Sequence, residues 1–297
     1  MAGEKNRRIL LARRPKGAPT PEDFEISEAP LPKAGEGELL LSLSHLSIDP
    51  YMRGRMNEGP SYATPVEIGG VMGGAGVGQV VESRAEGFAP GDLVLTYSGW
   101  QQFAAVPAKA AQKLDPHGAP PSTALGVLGM PGFTAWYGLT QIGRPKEGET
   151  VVVAAASGPV GSMVAQLARQ AGARVVPIAG GADKCEWLRQ EAGFEAVLDH
   201  RTADFAQALE RACADGIDVY YENVGGKIWD AVMPLLNQGA RVPVCGLIAH
   251  YNDQEAPGGP DRMPGLMGLV LRKRLLLQGF IISDHYDRFA EFRKAAA

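Results

Sequence analysis

Residues 154–161 read Ala-Ala-Ala-Ser-Gly-Pro-Val-Gly. Gly158 and Gly161 stand where a tight turn from a strand into a helix needs bare backbone. The N-terminus of such a helix points unpaired N–H groups and the positive end of its dipole at a docked anion, a pyrophosphate above all. Gly158 and Gly161 are therefore candidate phosphate contacts. The pattern is AxxGxxG rather than a full GxGxxG, and any strand-to-helix turn can use glycine. Its place at the head of a strand–helix array favours the phosphate reading.

The next strand ends in Ala179-Gly180-Gly181-Ala182-Asp183-Lys184. A site for NAD places Asp or Glu at such a tip, about 20 residues beyond the glycines, to hold the ribose 2′-hydroxyl. Here Gly180 leaves room for a 2′-phosphate and Lys184 is near enough to supply a counter-charge, so the expected cofactor is NADP. Two other readings stay open: Asp183 as a helix N-cap or an acid facing ribose, and Lys184 as an exposed helix lysine.

The residues that are missing exclude other chemistries. A zinc alcohol dehydrogenase needs Cys and His ligands and a lobe of closely spaced cysteines. The three cysteines, Cys185, Cys213 and Cys245, all fall in the second half, and the five histidines show no HxxxH spacing. No metal site is expected, and no GxSxG hydrolase elbow is present. Three widely spaced cysteines make no disulfide framework, which points to a reducing cytoplasm. A net charge of −4 over 297 residues lacks the basic excess of a general nucleic-acid binder. Residues 1–15 are too short and too interrupted by arginine for a signal peptide. The most apolar late stretch, Met263 to Ile282, is cut by Arg272, Lys273 and Arg274, short of the roughly 18 apolar residues of a membrane span.

Two kinds of element must position these residues. Up to about residue 120, short β-like runs alternate with Gly and Pro: Arg7 to Ala12, Glu38 to Ile48, Val77 to Glu82, Leu93 to Tyr97 and Phe103 to Val106. They predict a small irregular β-barrel or sandwich. From about Ala124 the period changes. The run Thr150 to Ala156 has the uniform apolarity of a strand buried on both faces. Further strands are expected at Arg174 to Ala179, Ala196 to Asp199, Asp218 to Tyr221, Ala240 to Cys245 and Leu275 to Ile282. Helices are expected after the glycine turn and over Lys184 to Ala192, Phe205 to Ala214 and Lys227 to Leu236. Strands alternating with helices predict a doubly wound parallel α/β sheet with right-handed crossovers.

Several stretches together resemble the zinc-free medium-chain dehydrogenase/reductases, in the branch of the NADPH-dependent alkenal/one reductases. They are Asp49-Pro50-Tyr51-Met52-Arg53-Gly54-Arg55-Met56, Leu128-Gly129-Met130-Pro131-Gly132-Phe133-Thr134-Ala135, the Ser157–Gly161 turn, Glu222-Asn223-Val224-Gly225-Gly226, Cys245-Gly246-Leu247-Ile248-Ala249-His250-Tyr251-Asn252, and Leu277-Gln278-Gly279-Phe280-Ile281. The resemblance implies a GroES-like β-barrel catalytic domain over 1–123 and a six-stranded Rossmann domain over 124–283. It implies that 284–297 begin a return to the barrel, which family members continue beyond this point. It assigns Gly158, Val160 and Gly161 to the pyrophosphate, adds Ser157, Thr134, Asn223, Cys245, Gly246, Ile248, Phe280 and Ile281 to the cofactor site, and brings His200 or Arg201 with Lys184 to the 2′-phosphate. The family usually has Tyr where His200 stands.

Tyr51 and Tyr251 are implied as the polar groups of the substrate pocket, which is expected in a cleft between the domains. The implied reaction is NADPH-dependent reduction of the C=C bond of α,β-unsaturated ketones and aldehydes. A quinone reductase and a non-catalytic NADPH-binding protein are the alternatives. An apolar sixth strand at a sheet edge predicts a two-fold homodimer. Taken singly, the tyrosines also suit ordinary half-buried positions, Arg53 and Arg55 solvated surface charges, Asn223 a turn residue and Cys245 a small buried residue.

Overall fold

Glycine and proline punctuation sets the strands of the first half, and the computed structural model describes residues 5–59, 61–115, 117–253 and 261–296. The chain divides into two units: the first up to Leu125 together with 251–253, the second from Gly126 to His250 together with 261–296.

The first unit contains β1 (Lys5–Leu11), β2 (Phe24–Pro30), β3 (Glu38–Leu46), the short helix α1 (Tyr51–Gly54), β4 (Ala75–Ser83), β5 (Leu93–Tyr97), β6 (Phe103–Pro107) and β7 (Gln112–Lys113). β1 and β2 form an antiparallel pair, and the others an antiparallel sheet in the order β6-β3-β4-β5-β7. Alternating residues Leu39, Leu41, Val80, Val94, Ala104 and Val106 turn inward and form its core. The register of β3 against β4 shifts at Leu40/Leu41 and Leu43/His45. Gly78 lies opposite, where a Cβ would come within 2.9 Å of the Leu43 Cα, so glycine permits the close approach. Sequence reading overlooked β2. Its run FEISEAP is mostly half-exposed or exposed, and Glu and Pro have low strand propensity; the pairing with β1 makes it a strand.

The second unit contains α2 (Met130–Tyr137), β8 (Thr150–Val153), α3 (Pro159–Gln170), β9 (Arg174–Ala179), α4 (Ala182–Gln190), β10 (Leu198–Asp199), α5 (Phe205–Ala212), β11 (Ile217–Tyr221), α6 (Gly226–Val232), β12 (Leu236–Val244), α7 (Met263–Lys273), β13 (Leu276–Gly279) and α8 (Phe289–Ala296). The strands are parallel and run in the order β10-β9-β8-β11-β12-β13. This is the doubly wound Rossmann order, which reverses direction between β8 and β11, the point at which sheets of this kind take ligands. Val151 and Val153 belong to the core on one face, Val152 and Ala154 to the core on the other. Burial on both faces is the physical reason for the unbroken apolar run.

Several boundaries differ from the sequence expectation. The helix expected over Lys227–Leu236 is α6 followed by a 3₁₀ turn, and Leu236 already belongs to β12. The last strand is only four residues long, and a 3₁₀ segment starts at Ile282. Helix α2 escaped notice because Pro131 through Trp136 are all buried, which leaves no polar face to mark the period. Residues 284–296, implied by the resemblance to start a return to the barrel, pack within the second unit. There Phe292, fully buried, sits against Phe133 and Trp136. Ala297 lies outside the described residues.

Candidate active site

The turn between β8 and α3 has the geometry of an anion cradle. Ala155 takes a left-handed conformation at φ 51°, and Gly158 caps the helix in an extended conformation with Pro159 as the first helical residue. The first intrahelical bond runs from the Ser162 N–H to the Gly158 carbonyl, at 2.9 Å. The amides of Val160 and Gly161 precede it and project from the helix end, as orphan first-turn donors do. Gly161 is sterically compelled. A Cβ there would overlap the Ala155 carbonyl and come 2.8 Å from the Ala156 Cα. At Gly158 the nearest atom would be 3.4 Å away, an ordinary contact. Ser157 is half-buried in the same turn.

The tip of β9 is a second cradle. A Cβ on Gly180 would come 2.5 Å from the His200 Nε2 and 3.1 Å from the Arg201 Nε; one on Gly181 would lie 3.3 Å from an Arg201 terminal nitrogen. Gly181 also has φ 101° and caps α4. The N-cap reading of Asp183 is therefore corrected: it is an exposed residue of the first turn. Lys184 follows it, exposed. The nearby acid, Asp199, is engaged. Its carboxylate accepts the N–H of Gly181 at 3.0 Å and of Arg201 at 2.8 Å, and these bonds pull its pKa down. The His200 Nδ1 is buried without a hydrogen-bond partner. Burial pushes this imidazole down, and the positive charge of Lys227 on α6 adds to that. The tip thus offers glycine backbone beneath His200 and Arg201. This donor set fits a 2′-phosphate.

A third group gathers beyond the ends of β11 and β12. The Asn223 side chain donates to the Ala154 carbonyl at 2.8 Å, so it does more than turn the chain. The carbonyl of Glu222 accepts the N–H of Cys245 at 2.9 Å and of Gly246 at 3.2 Å, and the Ile248 N–H donates to Asn223 at 3.2 Å. The Tyr221 hydroxyl donates to the Thr134 carbonyl at 2.8 Å, and the Thr134 hydroxyl donates to Met130 within α2. Burial pushes the Cys245 thiol up to about 12, so it stays protonated and is no nucleophile. Phe280 lies over the end of α2: a Cβ on Gly138 would come within 2.8 Å of its ring and 2.5 Å of the Tyr221 hydroxyl. Ile281, half-buried, leads into the 3₁₀ segment.

In the first unit, Tyr51 opens α1 and is half-buried. Burial pushes its phenol well above 10; Tyr97 and Asp49 act in the same direction, and Arg55 opposes them. The Arg55 guanidinium lies over the Tyr51 ring at 5.5 Å and the Tyr62 ring at 4.8 Å. Arg53 is not a solvated surface charge. It is buried and donates to the Gly17 carbonyl at 2.8 Å, to Asn57 at 2.5 Å and to the Asn252 side chain at 3.1 Å. The last bond ties the neighbour of Tyr251 to the helix that carries Tyr51, so both tyrosines belong to one unit.

Sequence reasoning missed Tyr97 and Glu222. Tyr97, 60% exposed at the end of β5, has its hydroxyl where a Cβ on Gly73 would stand, and a Cβ on Gly74 would meet Trp100 at 2.9 Å. The doublet Gly73-Gly74 was the available signal: paired glycines mark backbone under aromatic rings. Glu222 was signalled by its type alone, an acid closing the apolar strand β11.

Two family descriptions match the chain: "N-terminal domain of oxidoreductase" over residues 7–114 and "Zinc-binding dehydrogenase" over residues 159–297. Among the described residues no group of three or more His, Cys, Asp or Glu is placed to hold a metal ion. The chain is 56% identical over 292 residues to the NADPH-dependent curcumin reductase of Escherichia coli (strain K12), covering 98% of this chain and 85% of that protein. It is 36% identical over 294 residues to the 2-alkenal reductase (NADP(+)-dependent) of Nicotiana tabacum, covering 97% and 84%. The crystal structure of CurA from Vibrio vulnificus in complex with NADPH superposes with a TM-score of 0.94 at 52% identity, covering 98% of this chain and 86% of that one.

Proposed function

This chain belongs to the zinc-free medium-chain dehydrogenase/reductases, in the alkenal/one reductase branch, and on that premise we propose that it reduces the C=C bond of α,β-unsaturated ketones and aldehydes with NADPH. The observation that carries the cofactor choice is the tip of β9. Glycines stand where an NAD site needs an acid, His200 and Arg201 lie against them, and the Asp199 carboxylate is occupied by backbone amides. Lys184, with His200 and Arg201 beside Gly180, holds the 2′-phosphate. The amides of Val160 and Gly161, with Ser157 and Gly158, hold the pyrophosphate. Thr134, Asn223, Cys245, Gly246, Ile248, Phe280 and Ile281 form the nicotinamide end.

When bound, NADPH supplies a hydride to the β-carbon of the conjugated double bond. Negative charge then grows on the carbonyl oxygen, and donors already aimed at it in a dry site act most strongly. Tyr51 and Tyr251 are those donors. Burial keeps the Tyr51 phenol protonated, and the Arg53–Asn252 bond fixes the loop that carries Tyr251. The α-carbon takes its proton from a tyrosine or from water.

The same reading extends to assembly and location. β13 lies at the edge of the sheet with Leu276 exposed, which suits pairing with the same strand of a second copy in a homodimer. Three free cysteines suit the cytoplasm.

The test is NADPH oxidation with an enone and a quinone side by side, followed by product analysis. The expected product is the saturated ketone. An allylic alcohol would reject hydride delivery to the β-carbon, and turnover of the quinone alone would make the protein a quinone reductase.

A further inference from the structure

Glu222 is completely buried, and no ion pair holds it among the described residues. A carboxylate in such a place costs several kcal/mol unless hydrogen bonds replace its water. Here they do. One oxygen accepts the N–H of Val224 at 2.5 Å and of Gly225 at 2.9 Å; the other accepts the Tyr220 hydroxyl at 2.9 Å. The chain can wrap back around its own carboxylate because Gly225 and Gly226 both take positive φ, 76° and 57°, which favours glycine.

The wrapped loop is joined to two others. Asn223 bonds the Ala154 carbonyl, one residue before the left-handed Ala155 of the phosphate turn. The Ile248 and Ala249 amides bond the carbonyls of Asn223 and Val224 at 3.2 and 2.9 Å, and the Cys245 and Gly246 amides bond the Glu222 carbonyl. The loops after β8 and β12 therefore both bond the 222–224 segment that follows β11, at the carboxyl ends of β8 and β11, which flank the switch, and of their neighbour β12. An apolar side chain would fill the same volume, but it could not accept the two loop amides.

We propose that Glu222 is a positioning residue for the cofactor: its buried carboxylate sets the loop that holds Asn223 against the phosphate turn. This rests on the NADPH-dependent reading above. Glu222 touches no reacting atom, and acts through Asn223 and the 245–249 segment. Tyr220 is the outer support of the carboxylate.

The test is titration of NADPH into the wild type and three variants, with melting temperature and enone turnover measured beside it. Glu222→Met keeps the size but offers the two loop amides no oxygen to accept them. The NADPH Kd should rise about tenfold, while kcat at saturating NADPH stays within about twofold. Combining Glu222→Met with Asn223→Ala should weaken binding little more than the worse single change, because both break one arrangement. Tyr220→Phe removes the outer support alone and should raise Kd about threefold with little change in melting temperature. It decides the matter if Glu222→Met does not fold. An unchanged Kd in Tyr220→Phe and in any folded Glu222→Met overturns the proposal, as does a double variant whose loss is the product of the single losses. A wild type that binds NADPH without reducing an enone would count against the reaction, while the Kd comparison would still judge Glu222.

Discussion

A phenol donates a hydrogen bond only while it keeps its proton, and the surroundings of Tyr51 decide that. Burial raises its pKa well above the ordinary 10. A raised value leaves the protonated form fully present below 10 and removes it only as pH rises through the higher folded value. The Tyr51-dependent rate should therefore show no fall near pH 10; a descending limb there in wild type that vanishes in Tyr51→Phe would contradict this. Removing either phenol, by Tyr51→Phe or Tyr251→Phe, should lower kcat by up to about 10²–10³-fold with NADPH affinity nearly unchanged. Steady-state kinetics beside cofactor titration separates the two effects. Lys184 belongs to the same scale. Lys184→Ala should weaken NADPH about tenfold to a hundredfold and leave NADH almost untouched. Equal losses for both cofactors would remove Lys184 from the 2′-phosphate.

Helix α3 meets the end of β8 more closely than a side chain allows, and Gly161 is where the two backbones touch. Gly161→Ala would drive a methyl group into the backbone of Ala155 and Ala156. Overpacking of this kind costs about 1–3 kcal/mol, so the melting temperature should fall and NADPH affinity with it. Gly158→Ala is the control. Its Cβ would find ordinary contact and its φ of −82° suits any residue, so it should melt like the wild type. Equal effects at the two positions, measured by calorimetry, would show that close packing does not set the turn. The pattern of glycines was plain in the sequence, but not which of them the packing requires. Helix α2 shows the converse: a buried element without a polar face gives no periodic signal and emerges only from its neighbours.

For the whole molecule, the prediction concerns assembly. β13 is bonded to β12 on one side and lies at the edge of its sheet, an arrangement that natural proteins cover or pair. Light scattering at micromolar concentration should give twice the chain mass, and the mass of a single chain would refute the homodimer. Leu276→Lys, at the exposed face of the strand, should shift the mass toward one chain without unfolding the sheet.

The α/β class, the order of the βα units and the two glycine turns at the ends of β8 and β9 were legible in the residues, because each depends on contacts between near neighbours in the chain. Burial on both faces writes an unbroken apolar run at 150–156, and a turn that needs bare backbone writes glycine at 161. Tertiary structure alone decided the rest. Arg53 reads as an ordinary surface arginine until it meets Gly17, 36 residues back, and Asn252, 199 residues away. Asn223 reads as a turn residue until it reaches Ala154, 69 residues back. The Glu222 carboxylate finds its partners within three residues, but its backbone carbonyl meets Cys245 and Gly246 only when β11 ends beside β12. Hydrogen bonds of this kind impose no period on the sequence. Each needs one polar atom at one point in space, and the folding of the elements between creates that point.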